Sequence, residues 1–338
     1  MPFRRPFALL LAACVAVVST ACSPDTSVDA GSSAGAGFPV TVDHVYGSTT
    51  ITSRPERVAT IAWANHEVPL ALGVVPVGMS KAAWGDDDGN GVLPWVQGSL
   101  DELGAPVPEL YDETDGIDFE AVADSAPDVI LASYSGLSKE EYEKLSKIAP
   151  VIAYPKTPWG TSWEEMTRMN AKAIGAGDDG DELVDSLHTT IAEAFAKRPQ
   201  LAGRTVLFTY LDPTDLSKIG FYTSHDTRQG FLESVGMKAP SEVAARTAGT
   251  DEFFVEESAE HAARFADVDL IVTYGDDSTL QRLQSHPLLS KIPAVAKGHV
   301  AVLKDATPLA AMANPSPLSI PWGIDRYFDA LAAGLTDK

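Results

Sequence analysis

The sequence predicts an α/β protein of two similar lobes with parallel sheets, joined by one long helix. Three observations carry that prediction: an internal repeat, a matched pair of apolar runs, and an amphipathic stretch between the two halves. The string Leu145-Ser-Lys-Ile-Ala-Pro-Val-Ile152 recurs as Leu289-Ser-Lys-Ile-Pro-Ala-Val-Ala296, and self-similarity of this kind bounds architecture better than a single motif. Ahead of each copy stands an apolar run led by an acid, Asp128 to Tyr134 and Asp269 to Tyr274. Continuous apolar runs of this length read as strands buried on both faces of a parallel sheet. Ahead of each run lies a short helical segment with one glutamate, Glu120 eight residues before Asp128 and Glu260 nine before Asp269. The halves also begin alike, with Val58 to Trp63 followed by Leu72-Gly73, and Val206 to Tyr210 followed by Val235-Gly236. Strand and helix alternate in each half, the pattern of layered α/β lobes.

Between them, Asp181 to Arg198 places Leu183, Val184, Leu187, Ile191, Ala194 and Phe195 at helical spacing. Acids crowd its start, Lys197 and Arg198 close it, and Pro199 stops it. Such a helix is about 27 Å long at 1.5 Å per residue, enough to act as a spine. The expected layout is a first lobe over 38–175, an interlobe helix within 176–200 and a second lobe over 201–338.

Both cysteines, Cys14 and Cys22, precede that body. A basic opening, an apolar run from Phe7 to Val18 and small residues before Cys22 form a secretory signal over 1–21 with a lipoprotein-type box. Cys22 is then the lipidated first residue of the mature chain, and 22–37, rich in Ser, Ala, Gly and Asp, a flexible leash. The apolar run is shorter than the roughly 20 residues of a membrane-spanning helix. The expected location is the outer face of the cell membrane, held by the lipid. Formal charge is -22, or -24 once Arg4 and Arg5 leave with the signal. So acidic a body argues against nucleic acid as a partner.

In open parallel sheets ligands sit beyond the carboxyl ends of the strands. The residues there are Trp63, Tyr134, Tyr210 and Tyr274, and the loops add Trp84, Trp95, Trp159 and Trp322. Facing lobes would line a shared cleft with these rings, which suits a large flat ligand. Arg228, just before a helix, offers a guanidinium to anionic oxygens; Lys156 is a weaker candidate for the same role. The segment Asp86-Asp-Asp-Gly-Asn-Gly91 imitates half a calcium loop, but Gln97 stands where the bidentate glutamate belongs, so it reads as a mobile acidic loop beside the cleft. The seven histidines have no metal-site spacing, and no nucleophile elbow, phosphate loop or dinucleotide fingerprint occurs. Neither catalytic residues nor a cofactor is expected.

The chain resembles the class III substrate-binding proteins of ABC importers, the carriers of ferric siderophores, cobalamin and haem. The likeness runs through Arg54-Pro-Glu-Arg-Val58, Leu72-Gly-Val-Val-Pro-Val-Gly78, Gly116 to Leu131, Phe231-Leu-Glu-Ser-Val-Gly236 and Ala294 to Val300. Val92-Leu-Pro-Trp95, Trp159-Gly-Thr-Ser-Trp163 and Thr227-Arg228 look most like the iron-siderophore lipoproteins of high-GC Gram-positive bacteria. The resemblance implies a shallow cleft, little hinge motion, a monomer, and a membrane permease as partner. It puts the docking glutamates on Glu120 and Glu260. It also implies a ferric siderophore as ligand, with iron held by the siderophore and by no protein residue. A haem or cobalamin carrier is the nearest rival; a hydrolase or a tethered sensor module on a similar scaffold is further off.

Overall fold

The computed structural model describes residues 37–336. The signal segment, Cys14, Cys22 and nearly all of the leash lie outside the described residues. The chain opens on a hairpin, β1 (Val40–His44) and β2 (Gly47–Ile51). It continues through β3 (Val58–Thr60), α1 (Glu67–Ala71), β4 (Gly78–Ser80), α2 (Pro94–Leu103), β5 (Glu109–Tyr111) and α3 (Phe119–Asp124). Next come β6 (Val129–Leu131), α4 (Lys139–Leu145), β7 (Val151–Ile152), α5 (Trp163–Ala173) and the connecting helix α6 (Gly177–Ala196). The second half holds β8 (Val206–Tyr210), β9 (Lys218–Tyr222), α7 (Thr227–Ser234), α8 (Ser241–Gly249), β10 (Phe254–Ser258) and β11 (Leu270–Gly275). It ends with α9 (Thr279–Ser285), α10 (Pro293–Lys297), β12 (Val300–Lys304), α11 (Pro308–Met312) and α12 (Ser319–Gly334).

The first sheet has the order β5-β4-β3-β6-β7 and is parallel throughout. The second has the equivalent order β10-β9-β8-β11-β12, with β8, β11 and β12 parallel. One strand departs from the expected parallel pattern: β9 runs antiparallel to both its neighbours. Only residues 211–217 separate it from β8, too few for the crossover of a dozen or more residues that a parallel pair requires. Asp212 and Asp215 each accept the backbone amide two residues on, from Thr214 and Ser217, and tighten that loop into a reversal.

Helix α6 starts at Gly177, four residues before the expected Asp181. Glycine lowers helix propensity, so the sequence places the boundary late. Packing decides otherwise, because a Cβ at Gly180 would overlap the Ala171 methyl of α5. Val184, Leu187, Ile191 and Ala194 form the buried stripe. The twenty-residue helix is about 30 Å long. Lys197 and Arg198 follow it and clamp α12: Lys197 reaches Asp325 at 3.1 Å, and the buried Arg198 reaches Asp329 at 2.9 Å and also bonds Asp325.

One apolar core joins the two halves. Leu70, Met79, Trp95 and Leu100 from the first share it with Phe208, Phe231, Tyr327 and Phe328 from the second.

Candidate functional site

In the first half the cleft is built by backbone turns at the sheet's carboxyl edge. After β3 the chain passes through Ala62 and Ala64, both left-handed, with φ of 60° and 62°. Alanine holds that conformation only where surroundings impose it, and here two groups do. Glu113 accepts the Ala62 amide with both carboxylate oxygens, at 3.2 and 3.0 Å. Asn65, fully buried, donates to the carbonyls of Ile61 and Tyr134 at 2.9 Å and accepts from the Tyr134 amide and from Asn170. This brace turns Trp63 and Tyr134 toward the same space. Trp159, itself left-handed at φ 59°, donates its amide to Ser135 and stands edge-on to Tyr134 with ring centroids 5.4 Å apart. It lies flush on Gly136, where a Cβ would overlap the indole nitrogen.

Trp84 enters from the loop after β4 and meets the Tyr274 ring edge-on at 5.2 Å. Its neighbour Gly85, at φ +83°, leaves room only for backbone against Ala311. The segment Asp86 to Gly91 beside it is a hydrogen-bonded turn rather than open chain. The Asp86 carboxylate accepts amides from Gly89 at 2.9 Å and Gly91 at 2.6 Å, leaving a poor calcium ligand.

The second half supplies the charge. Asp226 caps α7, accepting the Arg228 amide at 2.8 Å, and pairs with the Arg228 guanidinium at 2.8 Å. Asp226 is buried, with 1% of its side chain exposed against 20% for Arg228. Burial pushes the Asp226 carboxyl up, and Arg228 opposes that push. Arg228 also donates Nε to the Tyr274 hydroxyl at 3.0 Å and lies over the Tyr222 ring at 4.5 Å. Among the described residues its Nη2 takes no hydrogen-bond partner. Across the seam Asn314 donates Nδ2 to the Tyr134 hydroxyl at 2.9 Å, and Thr227 donates to Asn314 Oδ1. Burial raises the Tyr134 and Tyr274 hydroxyls above the ordinary phenol range, so both are neutral hydrogen-bonding groups at neutral pH.

The result is a cavity of about 270 Å³ lined by Trp63, Trp84, Tyr134, Trp159, Asp226, Arg228, Phe253, Ala311 and Asn314. Of the nine expected ligand residues, Trp63, Trp84, Tyr134, Trp159 and Arg228 meet here, and Tyr274 backs Trp84 and Arg228. Three do not. Tyr210, 48% exposed, faces a separate depression with Asp276 and Arg282. Trp95 and Trp322 pack at a tilt, ring centroids 5.0 Å apart, beside α6 and away from the cavity. Trp95 is buried because its indole N–H donates to Glu67 at 2.7 Å, and Glu67 in turn accepts the Leu318 amide at 3.0 Å across the seam. That bond ties one half to the other, a structural part that sequence could not separate from a pocket wall. Lys156 is exposed and does not line the cavity.

Glu120 and Glu260 are both exposed. Glu120 borders a groove with Glu109, Asp118 and Asp124, by the amino ends of β4 and β5. Near Glu260, Glu257 gathers Arg246, Arg264 and His261.

Sequence reasoning missed Asp226, Phe253, Asn314, Asn65 and Glu67. Asp226 left a signal, the acid two residues before Arg228 at a helix start; the others left none. Among the described residues, no group of three or more His, Cys, Asp or Glu is placed to hold a metal ion, and no helix is long and apolar enough to cross a membrane.

The family model described as periplasmic binding protein matches residues 58–307. PiaA of Streptococcus pneumoniae TIGR4, solved in complex with ferrichrome, superposes with a TM-score of 0.85 at 46% identity, over 88% of this chain and 98% of that one. The petrobactin-binding protein YclQ of Bacillus subtilis (strain 168) is 25% identical over 90% of this chain and 92% of its own length. The probable siderophore-binding lipoprotein YfiY of the same strain is 28% identical, but the match spans only 49% of this chain and 48% of that protein.

Proposed function

We propose that this chain, which belongs to the periplasmic binding protein family, captures a ferric siderophore and hands it to the permease of an ABC importer. One observation carries the reading: a cavity at the carboxyl edges of both sheets, walled by three tryptophans and Tyr134, with one guanidinium edge free. Aromatic walls give apolar area to a bulky ligand, and the guanidinium gives it orientation. Iron stays in the siderophore's oxygen shell. The 46% likeness to a ferrichrome-bound protein supports the same ligand class. The haem alternative is disfavoured by the lining, which includes no histidine and whose tyrosine hydroxyl is engaged by Asn314.

The family is one of binding proteins, and no catalytic step is assigned. We further propose lipid anchoring through Cys22, the leash over 22–37, a first lobe over 38–175, the connecting segment over 176–200 and a second lobe over 201–338. The protein then works as a monomer on the outer face of the membrane, with Glu120 and Glu260 meeting the permease. Loss of membrane association in Cys22→Ala checks the anchor. For the ligand, ferrichrome should quench tryptophan fluorescence saturably, because Trp63, Trp84 and Trp159 would all lie within contact range of an absorbing complex. Absence of saturable quenching by any ferric siderophore, with quenching by haem, overturns the assignment.

A further inference from the structure

We propose that Asp226 sets the charge selectivity of the cavity, so that it accepts ferric complexes without net negative charge, the hydroxamate class, and rejects anionic ones such as tris-catecholates. The inference rests on the siderophore reading above and narrows it. Charge accounting of the lining leads there. Of the lining side chains only Arg228 and Asp226 are charged, and they sum to zero. They are held together at 2.8 Å by the cap of α7, and Asp226 also spends an oxygen on the Arg228 amide, so the pair is fixed before a ligand arrives. The other lining groups are aromatic, or the neutral Ala311 and Asn314. At the mouth acids outnumber cations: the loop carrying Trp84 has exposed Asp87 and Asp88 against Lys81, which is paired with Asp112, the loop carrying Phe253 has exposed Asp251 and Glu252, and the loop carrying Trp159 has exposed Lys156.

Three hydroxamates, each a monoanion, cancel the charge of Fe³⁺. Three catecholates, each a dianion, leave the complex at minus three. Bringing a trianion into a partly dry cavity whose own charge is zero sets desolvation against no net attraction. Like charge at the rim opposes its approach as well. A neutral complex meets neither penalty, and the free Nη2 edge of Arg228 can donate to one coordinating oxygen. Arg228 thus orients the ligand, and Asp226 removes its value as an attractor of anions. On this proposal the guanidinium expected to favour anionic oxygens orients a ligand oxygen without drawing in a net anion, because of a neighbour two residues away.

The test compares the full chain with Asp226→Asn, which keeps the side chain's shape and an oxygen for the Arg228 amide. Tryptophan quenching is titrated with ferrichrome as the neutral trihydroxamate and with ferric enterobactin as the trianion. Wild type should bind ferrichrome at least about 100-fold tighter, and Asp226→Asn should narrow that ratio about tenfold or more by strengthening trianion binding, as expected for one unmasked charge in a partly buried site. Asp226→Ser, which also retains a capping oxygen, should narrow it in the same direction and serves if the Asn variant folds poorly. Wild type that binds the trianion as tightly as ferrichrome overturns the proposal. So does a ratio that neither variant changes. If no ferric complex quenches wild type, the siderophore reading itself falls, an outcome distinct from failed selectivity.

Discussion

The two halves share one strand order and divide the work of the site unequally. In the first half β4 follows β3 through helix α1, and the crossover's entry, Ala62 to His66, becomes the loop that presents Trp63. In the second half β9 folds straight back on β8, no loop of that kind exists, and the strand instead delivers Thr223 to Arg228 at the start of α7. Aromatic walls therefore come mainly from one half and the fixed ion pair from the other. The repeated strings teach the same lesson more sharply. In the first copy helix α4 ends at Leu145, a turn follows, and directly after Ala149-Pro150 Val151-Ile152 is a strand. In the second, Pro293-Ala294 puts proline at the first position of helix α10, where its fixed φ and missing N–H suit a helix start. The strand then waits until Val300, after Gly298 closes the helix at φ +76°. The two octapeptides differ by the exchange of alanine and proline and by Ile152 against Ala296, and they take different structures.

The largest expected effect probes whether the halves act as equals toward a partner. Glu120→Arg with Glu260→Arg should leave the fold and siderophore affinity intact and abolish uptake in cells, since like-charge contacts at an interface cost several kcal/mol. Glu120 stands among acids while the basic groups near Glu260 are paired with Glu242 and Glu257. The Glu120 single change should therefore be the more damaging, as it puts a cation into a groove otherwise lined by Glu109, Asp118 and Asp124 and halves its negative charge. Normal uptake by the folded double variant removes both residues from the docking surface.

A second comparison concerns the buried amide in each half. Asn65 braces the cleft loop, whereas Gln229 accepts the Phe208 amide at 3.0 Å and braces strand β8 from beneath. Each replacement by Ala leaves buried partners unmet and should cost about 2–4 kcal/mol in denaturant unfolding. Only Asn65→Ala should also weaken ligand binding, by about tenfold or more, because Trp63 and Tyr134 lose their common anchor. Equal loss of binding in both variants would mean that the brace acts through global stability alone.

The smallest effect is a pH dependence in which two buried glutamates of the first half oppose Glu257 of the second. Burial raises Glu67 and Glu113 to about 7, so their stabilising contribution is complete below the unfolded value near 4.5 and is lost as pH rises through 7. For the fully buried Glu67 this amounts to about 3 kcal/mol. Neighbouring His66, lowered to about 4 by burial, works the other way, losing stability as pH falls from 6.5 toward 4. In the second half Glu257 is lowered to about 2, first by its hydrogen bond with His261, and its contribution disappears only as pH falls through that value. Wild type should thus be less stable to urea at pH 7.5 than at pH 5.5, and Glu67→Gln should flatten the difference while losing stability at both, because one of its donors is left facing an amide N–H. A wild-type curve that rises from pH 5.5 to 7.5 contradicts the assignment.

Much of the scaffold was legible in the chain. Apolar runs at Val58, Asp128, Val206 and Asp269 marked the four central strands, and the stripe from Val184 to Ala194 marked α6. These are local patterns, repeated at the period of the element that forms. What needed the tertiary structure was the use of each aromatic and each charge. Trp95 and Trp63 look alike in sequence, yet one spends its N–H on Glu67 inside the seam and the other faces the cavity. Asn314 acts on Tyr134 from 180 residues away. Arg228 offers a guanidinium in the sequence, but its pairing with the buried Asp226 appears only in the fold. Local pattern determines which face of an element is apolar, because burial scales with side-chain chemistry. Which polar group is left free depends on partners brought together from distant parts of the chain, and periodicity along the chain carries no trace of those.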